Sequence, residues 1–206
     1  MKKIFLSFCS LVITSLAIAQ SVYDSGVVIN GVKWATRNVG APGTFASSPE
    51  KAGMLYQWNR KIGWTATYPR KASNGRNKWN KKAAIGSTWE KYNDPSPAGW
   101  RVPTIDELLT LCDPYNVSYE WTVLNGVKGM IFIDINTGNS IFFPAAGSRD
   151  RTGTLAYTSM TGYYWSSTPS SKFNNEAYYI YVYAGGPACE IRTLQCVGHC
   201  VRSVAK

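Results

Sequence analysis

One histidine, His199, stands in a chain of 206 residues. A Ser-His-Asp hydrolase would have to be built on it, and no nucleophile-elbow sequence accompanies it. The run Cys196-Val-Gly-His-Cys200 has the wrong order for haem attachment, which needs Cys-x-x-Cys-His. Zinc held by Cys189, Cys196, His199 and Cys200 is disfavoured, because neighbouring residues on a strand point to opposite faces. Acidic residues are also scarce, twelve against 22 basic ones. Of these, Asp106 and Glu107 suit the start of a helix better than a two-carboxylate glycosidase. Arg149-Asp150-Arg151 reads as an ion-paired turn. No catalytic residue, metal or cofactor is assigned, and the chain is read as non-enzymatic.

Long apolar runs are missing beyond the first nineteen residues, so no later stretch would span a bilayer as a helix. Lys2-Lys3, the apolar stretch from Ile4 to Ile18 and Ala17-Ile18-Ala19 together have the form of a cleavable secretory signal over residues 1–19. Residues 20–206 then form a single domain, secreted across the inner membrane and placed at the cell surface, outside the cell or in the periplasm. Four cysteines follow the signal: Cys112, Cys189, Cys196 and Cys200. In an oxidising compartment an even number favours disulfides, with three pairings open. Four residues of extended chain span roughly 13 Å, which excludes Cys196–Cys200 on one strand. The expected bridges are Cys189–Cys196 and Cys112–Cys200.

Local signals order most of the chain. Val27-Val28-Ile29, Asn30-Gly31 and Val32 to Thr36 predict a hairpin. Ser48-Pro49-Glu50 predicts a helix start running through Trp58. A second helix is announced by Thr104 and Glu107, spaced as a capping box, and ends at Asp113-Pro114. Strands are expected at residues 130–135, 141–143, 163–167, 177–183, 189–194 and 198–204, with Asn136-Thr137-Gly138-Asn139 as a turn. Two helices ahead of a set of antiparallel strands make the expected class α+β.

Several longer motifs stand in order: Gly31-Val-Lys-Trp-Ala-Thr-Arg-Asn-Val-Gly40, Tyr56-Gln-Trp-Asn59, Asp94-Pro-Ser-Pro-Ala-Gly-Trp-Arg-Val-Pro-Thr104, Phe143-Pro-Ala-Ala-Gly147, Tyr163-Tyr-Trp-Ser-Ser167 and Val201-Arg-Ser-Val204. Together they resemble the Fibrobacter succinogenes major paralogous domain (FISUMP) family over almost all of residues 28–204. The resemblance implies a C-type-lectin-like fold: a small twisted antiparallel sheet, two helices, a long irregular loop and paired termini. It implies secreted or surface-exposed bacterial proteins and brings no established activity. That family usually carries cysteine where this chain has Ser96 and Ser203, which implies that the two positions are neighbours. The calcium-lectin signatures Glu-Pro-Asn and Gln-Pro-Asp are absent, which argues against calcium-dependent sugar binding.

The net charge of +10 is unevenly placed. Residues 60–92 hold nine Lys or Arg and one acid, a surplus of +8, and residues 20–206 as a whole carry twenty basic and twelve acidic side chains, again +8. The rest of the domain therefore balances to zero. Within the basic segment Trp64, Tyr68, Arg70, Lys71, Arg76, Lys78, Trp79, Lys81, Lys82 and Trp89 interleave cations with aromatics. Charge would attract a polyanion and flat rings would stack on sugars. The expected partner is an acidic or sulfated polysaccharide, with nucleic acid disfavoured for an exported chain. The competing reading is a solvated loop clamped to the domain by its tryptophans. Trp34, Trp58, Trp100, Trp121 and Trp165 are expected in the core. The function expected is an adhesion or glycan-binding module of a surface or matrix protein. The alternative is a structural subunit of a surface appendage that binds protein partners, with a glycan-acting enzyme third.

Overall fold

The computed structural model describes residues 22–84 and 86–206. The expected signal peptide lies outside the described residues. The Asn30-Gly31 hairpin forms as read: β1 (Val27–Ile29) pairs with β2 (Val32–Trp34), and Asn30 and Gly31 both adopt positive φ, 45° and 79°. That is the turn geometry matching the strands' own twist. β15 (Val204–Ala205) inserts between β2 and β5 (Trp100–Arg101), so the two ends of the domain share one sheet.

The chain is not α+β with two helices. Among the described residues four small antiparallel sheets dominate, and the α-helix within them is the five-residue α1 (Ile105–Leu109). Residues 48–58, expected as a helix, form a turn and then β3 (Met54–Gln57). Gly53 shows why. Its φ is +68°, and a Cβ there would overlap the Val39 carbonyl, so the backbone is pressed against another segment and cannot coil. Leu55, Tyr56 and Gln57 are then buried in succession, covered on both faces, the pattern of an interior strand. Ser48 does not cap a helix; its hydroxyl donates to the Glu50 carboxylate at 2.6 Å.

The second helical signal holds. Thr104 accepts from the Glu107 amide while Glu107 accepts from the Thr104 amide, a complete capping box. Glu107 also receives both terminal nitrogens of Arg101, at 2.5 and 2.7 Å, so the motif Trp100-Arg-Val-Pro-Thr104 ties a strand to a helix start. The remaining sheets are β6-β7-β8 (Val117–Leu124, Val127–Asp134, Ser140–Pro144), β11-β12-β13 (Thr161–Pro169, Glu176–Tyr183, Gly186–Leu194), and a five-stranded one. That last sheet runs β10 (Leu155–Ala156), β9 (Ser148–Arg149), β14 (Gly198–His199), β3, β4 (Gly63–Thr65). The stretch expected as one last strand over 198–204 is thus two short strands in different sheets.

One apolar cluster joins these layers, with Trp34, Leu55, Leu108, Phe132, Phe143, Tyr164 and Ile180 fully buried. Arg202 lies in it. The guanidinium donates to Asn38 Oδ1, the Ala35 carbonyl and the Phe142 carbonyl at 2.9–3.1 Å, and stands 4.7 Å from the Phe143 ring centre. Burial pulls its pKa down to about 10. Of the tryptophans expected in the core, Trp34, Trp58, Trp100 and Trp165 are buried and Trp121 is partly buried.

The disulfide is Cys112–Cys189, and Cys196 and Cys200 are free and buried, which overturns both expected bridges. β13 runs extended through Leu194, carrying Cys189 away from Cys196. Cys200 points into the core, its thiol donating to the Ala52 carbonyl at 3.6 Å, and burial raises its pKa to about 12. Ser96 and Ser203 are neighbours: the Ser203 hydroxyl donates to the Ser96 hydroxyl at 2.8 Å.

Candidate functional site

The basic segment leaves the five-stranded sheet after β4 and folds back over its end. Trp79 is the anchor. It is 6% exposed and packs on Trp64, itself 3% exposed, with ring centres 5.1 Å apart. Arg70 covers both rings, its guanidinium carbon 5.3 Å from one centre and 5.7 Å from the other. The same guanidinium donates to the carbonyls of Thr152, Gly153 and Asn77. Two remote glycines make room for the indole: a Cβ on Gly153 would come within 2.8 Å of Trp79 Cδ2, and one on Gly198 within 2.9 Å of Cη2. Beneath, the buried Arg149 donates to the carbonyls of Thr65, Thr67 and Gly153. It is not the ion-paired turn expected; Asp150 instead accepts from the amides of Thr152 and Thr154 and from the Thr152 hydroxyl.

The tryptophans therefore clamp the segment and offer no open face to a sugar. Trp89, partly buried, lies elsewhere, meeting Trp58 edge-on at 5.7 Å and donating its indole N–H to the Asn93 carbonyl. Tyr68 is 66% exposed, but its hydroxyl exchanges hydrogen bonds with the Leu155 backbone. What the fold gathers is charge. An open cleft of about 960 Å³ is lined by Trp64, Arg70, Arg76, Lys78, Trp79, Lys81 and Lys82 from the expected set. Lys71, Tyr68 and Trp89 lie outside it.

Residues not singled out in the sequence complete this cleft: Gln57, Arg60, Ile62, Asn74, Asn77, Asn80 and Thr152. Two smaller clefts adjoin it. One, about 470 Å³, shares Lys81 and Thr152 and adds Arg151; the other, about 380 Å³, shares Arg60, Asn80 and Lys82 and adds Lys61. No carboxylate is among the described residues lining the three. Two buried donors of the main cleft, Trp79 Nε1 and Arg60 Nε, have no acceptor among the described residues. Arg60 was legible as part of the charge run, whereas Arg151 and Thr152 arrive from the loop between β9 and β10, which only the fold brings near.

His199 is far from a catalytic setting. It is 3% exposed, stacked on Tyr163 at 5.1 Å and flanked by Trp165 and Tyr179 at 4.3 and 4.9 Å. Burial drives its pKa down to about 3, so it is a neutral ring at physiological pH. Among the described residues no group of three or more His, Cys, Asp or Glu is placed to hold a metal. Tyr163 begins a row that continues through Tyr181 and Tyr183, with centres 5.8 and 5.6 Å apart. The period-two spacing of Tyr179, Tyr181 and Tyr183 was its sequence signal.

The family model for the Lcl C-terminal domain matches residues 31–202. The chain belongs to the Lcl C-terminal domain family. No curated protein and no solved structure matches it. The family match spans the basic segment, the three clefts and the sheets that carry them, so the cleft is a feature of this Lcl C-terminal domain itself and not of an appended tail.

Proposed function

We propose that this Lcl C-terminal domain is an exported, non-enzymatic surface or matrix module that holds an acidic or sulfated polysaccharide in the basic cleft. One observation carries the reading: three adjoining clefts are lined by Arg60, Lys61, Arg70, Arg76, Lys78, Lys81, Lys82 and Arg151 with no described carboxylate among them. Cations in a concave surface focus field and attract an anionic chain. The tryptophans contribute by fixing the cleft's shape, not by stacking on sugars.

The test is heparin affinity measured over a range of salt concentrations. Binding should weaken as salt rises. The triple variant Lys78→Ala, Lys81→Ala, Lys82→Ala should bind more weakly and show a shallower salt dependence, by roughly one unit of log–log slope per cation that contacted the chain. Retention of wild-type affinity and slope by that variant would refute the cleft as the binding site.

A further inference from the structure

Residues 80–84 lie where the three clefts meet: Lys81 lines two of them, and Lys82 lines the main cleft and the third. This segment belongs to no strand or helix. A stretch of that kind, carrying two lysines on a surface, would ordinarily sample many conformations. Here its backbone is fastened from beneath. Gln57 Nε2 donates to the Asn80 carbonyl at 2.5 Å and to the Cys196 carbonyl at 2.7 Å. Arg60 donates to the carbonyls of Lys82 and Ala83 at 3.2 and 3.1 Å. Gln195 Oε1 accepts from the Ala84 amide at 3.2 Å, while its Nε2 donates to the Glu176 carbonyl. Gln57 and Gln195 are 2% and 1% exposed.

Two buried, uncharged amides thus each tie a surface loop's main chain to the body of the domain, Gln57 through the Cys196 carbonyl and Gln195 through the Glu176 carbonyl of β12. We propose that Gln57 and Gln195 are positioning residues that make this site read the spacing of anions along a stiff chain, beyond its total charge. The inference rests on the polyanion reading of the cleft. A fixed backbone presents Lys81 and Lys82 at a set separation, so a regular, stiff sulfated chain meets both without further ordering of the protein. A flexible polyanion adapts to any lysine arrangement and draws little benefit from preorganisation.

The experiment compares the wild type with Gln195→Met, which preserves net charge and approximate side-chain volume and changes a residue outside the linings of the three clefts. Two probes are used at matched salt: heparin and linear polyphosphate. Losing the fixed conformation of one or two backbone positions should weaken heparin binding by about tenfold, on the order of their ordering cost. Polyphosphate binding should change by less than about twofold, because its charge-driven part is untouched. The salt slope for heparin should stay at the wild-type value, unlike that of the triple lysine variant. Amide hydrogen exchange should quicken at Ala84, the amide that Gln195 holds. Binding stoichiometry, read in the same titrations, separates a loss of affinity from a loss of folded protein. If Gln195→Met does not fold, Gln195→Asn, one methylene too short to keep the Ala84 contact, is read in the same way. Equal losses for both probes, or no loss for either, would overturn the inference while leaving the cleft as binding site. Wild-type behaviour of the triple lysine variant would instead overturn the reading beneath it.

Discussion

His199 gives this domain a pH dependence that one substitution should erase. It is the only histidine in the chain, and its pKa falls from an ordinary 6.5 to about 3 because the folded protein encloses it in aromatic rings. Neither ring nitrogen has a hydrogen-bond partner among the described residues. The native state therefore leaves the imidazole neutral at a pH where the unfolded chain has already bound a proton. With more protons on the unfolded state, stability rises with pH, and it is lost as pH falls below the unfolded value of 6.5 towards the folded value. One proton of difference amounts to about 1.4 kcal/mol per pH unit, which integrates to about 2 kcal/mol between about pH 7.5 and about pH 5. Carboxylates do not confuse that window. Asp24, Glu107, Asp113 and Asp134 are held below their ordinary values. Their contribution is present above the unfolded carboxylate range and lost only at lower pH, below about 5. Urea unfolding followed by tryptophan fluorescence at fixed ionic strength measures the effect. Wild type should lose about 2 kcal/mol over the interval and His199→Phe should lose almost nothing. An equal loss in both proteins, or none in the wild type, would refute the assignment of His199 as a buried neutral ring.

Three further outcomes follow from the packing. Non-reducing peptide mapping should recover Cys112 joined to Cys189, with alkylation of Cys200 only after unfolding; reduction should cost about 2–4 kcal/mol in chemical denaturation. The double variant Ser96→Cys, Ser203→Cys should cross-link on oxidation, because the two hydroxyls are 2.8 Å apart across 107 residues of sequence. Its thermal midpoint should rise, the chain-entropy gain for so long a loop being about 4–5 kcal/mol before strain, and failure to cross-link would refute the contact. Arg202→Met should destabilise by roughly 3–5 kcal/mol, since three buried acceptors lose their donor. Arg202→Lys should rescue little of it, because an ammonium cannot match a guanidinium's three fixed directions.

The features legible in the sequence are those whose causes lie within a few residues. Asn30-Gly31 forms a hairpin because those two residues tolerate positive φ. Thr104 and Glu107 cap a helix because the spacing alone lets each reach the other's amide. Features set by distant partners escaped. Ser48-Pro49-Glu50 carries every local mark of a helix start, yet Gly53 lies against Val39 and the chain extends into a buried strand. The disulfide follows the course of β13, which no cysteine spacing encodes.

The basic segment shows both limits at once. Its charge was plain, and the fold does concentrate Arg70, Arg76, Lys78, Lys81 and Lys82 in one cleft. Which way its tryptophans face was not, because that depends on Gly153 and Gly198, small enough only there to admit Trp79. Once the indole is inserted, Arg70 is drawn over it and its guanidinium is spent partly on the carbonyls of Thr152 and Gly153. The exposed cations of the cleft are Arg76, Lys78, Lys81 and Lys82. Aromatic and cation thus divide the work that composition alone assigned to both: the rings set the shape of the cleft, and the exposed cations carry the charge that a ligand would meet.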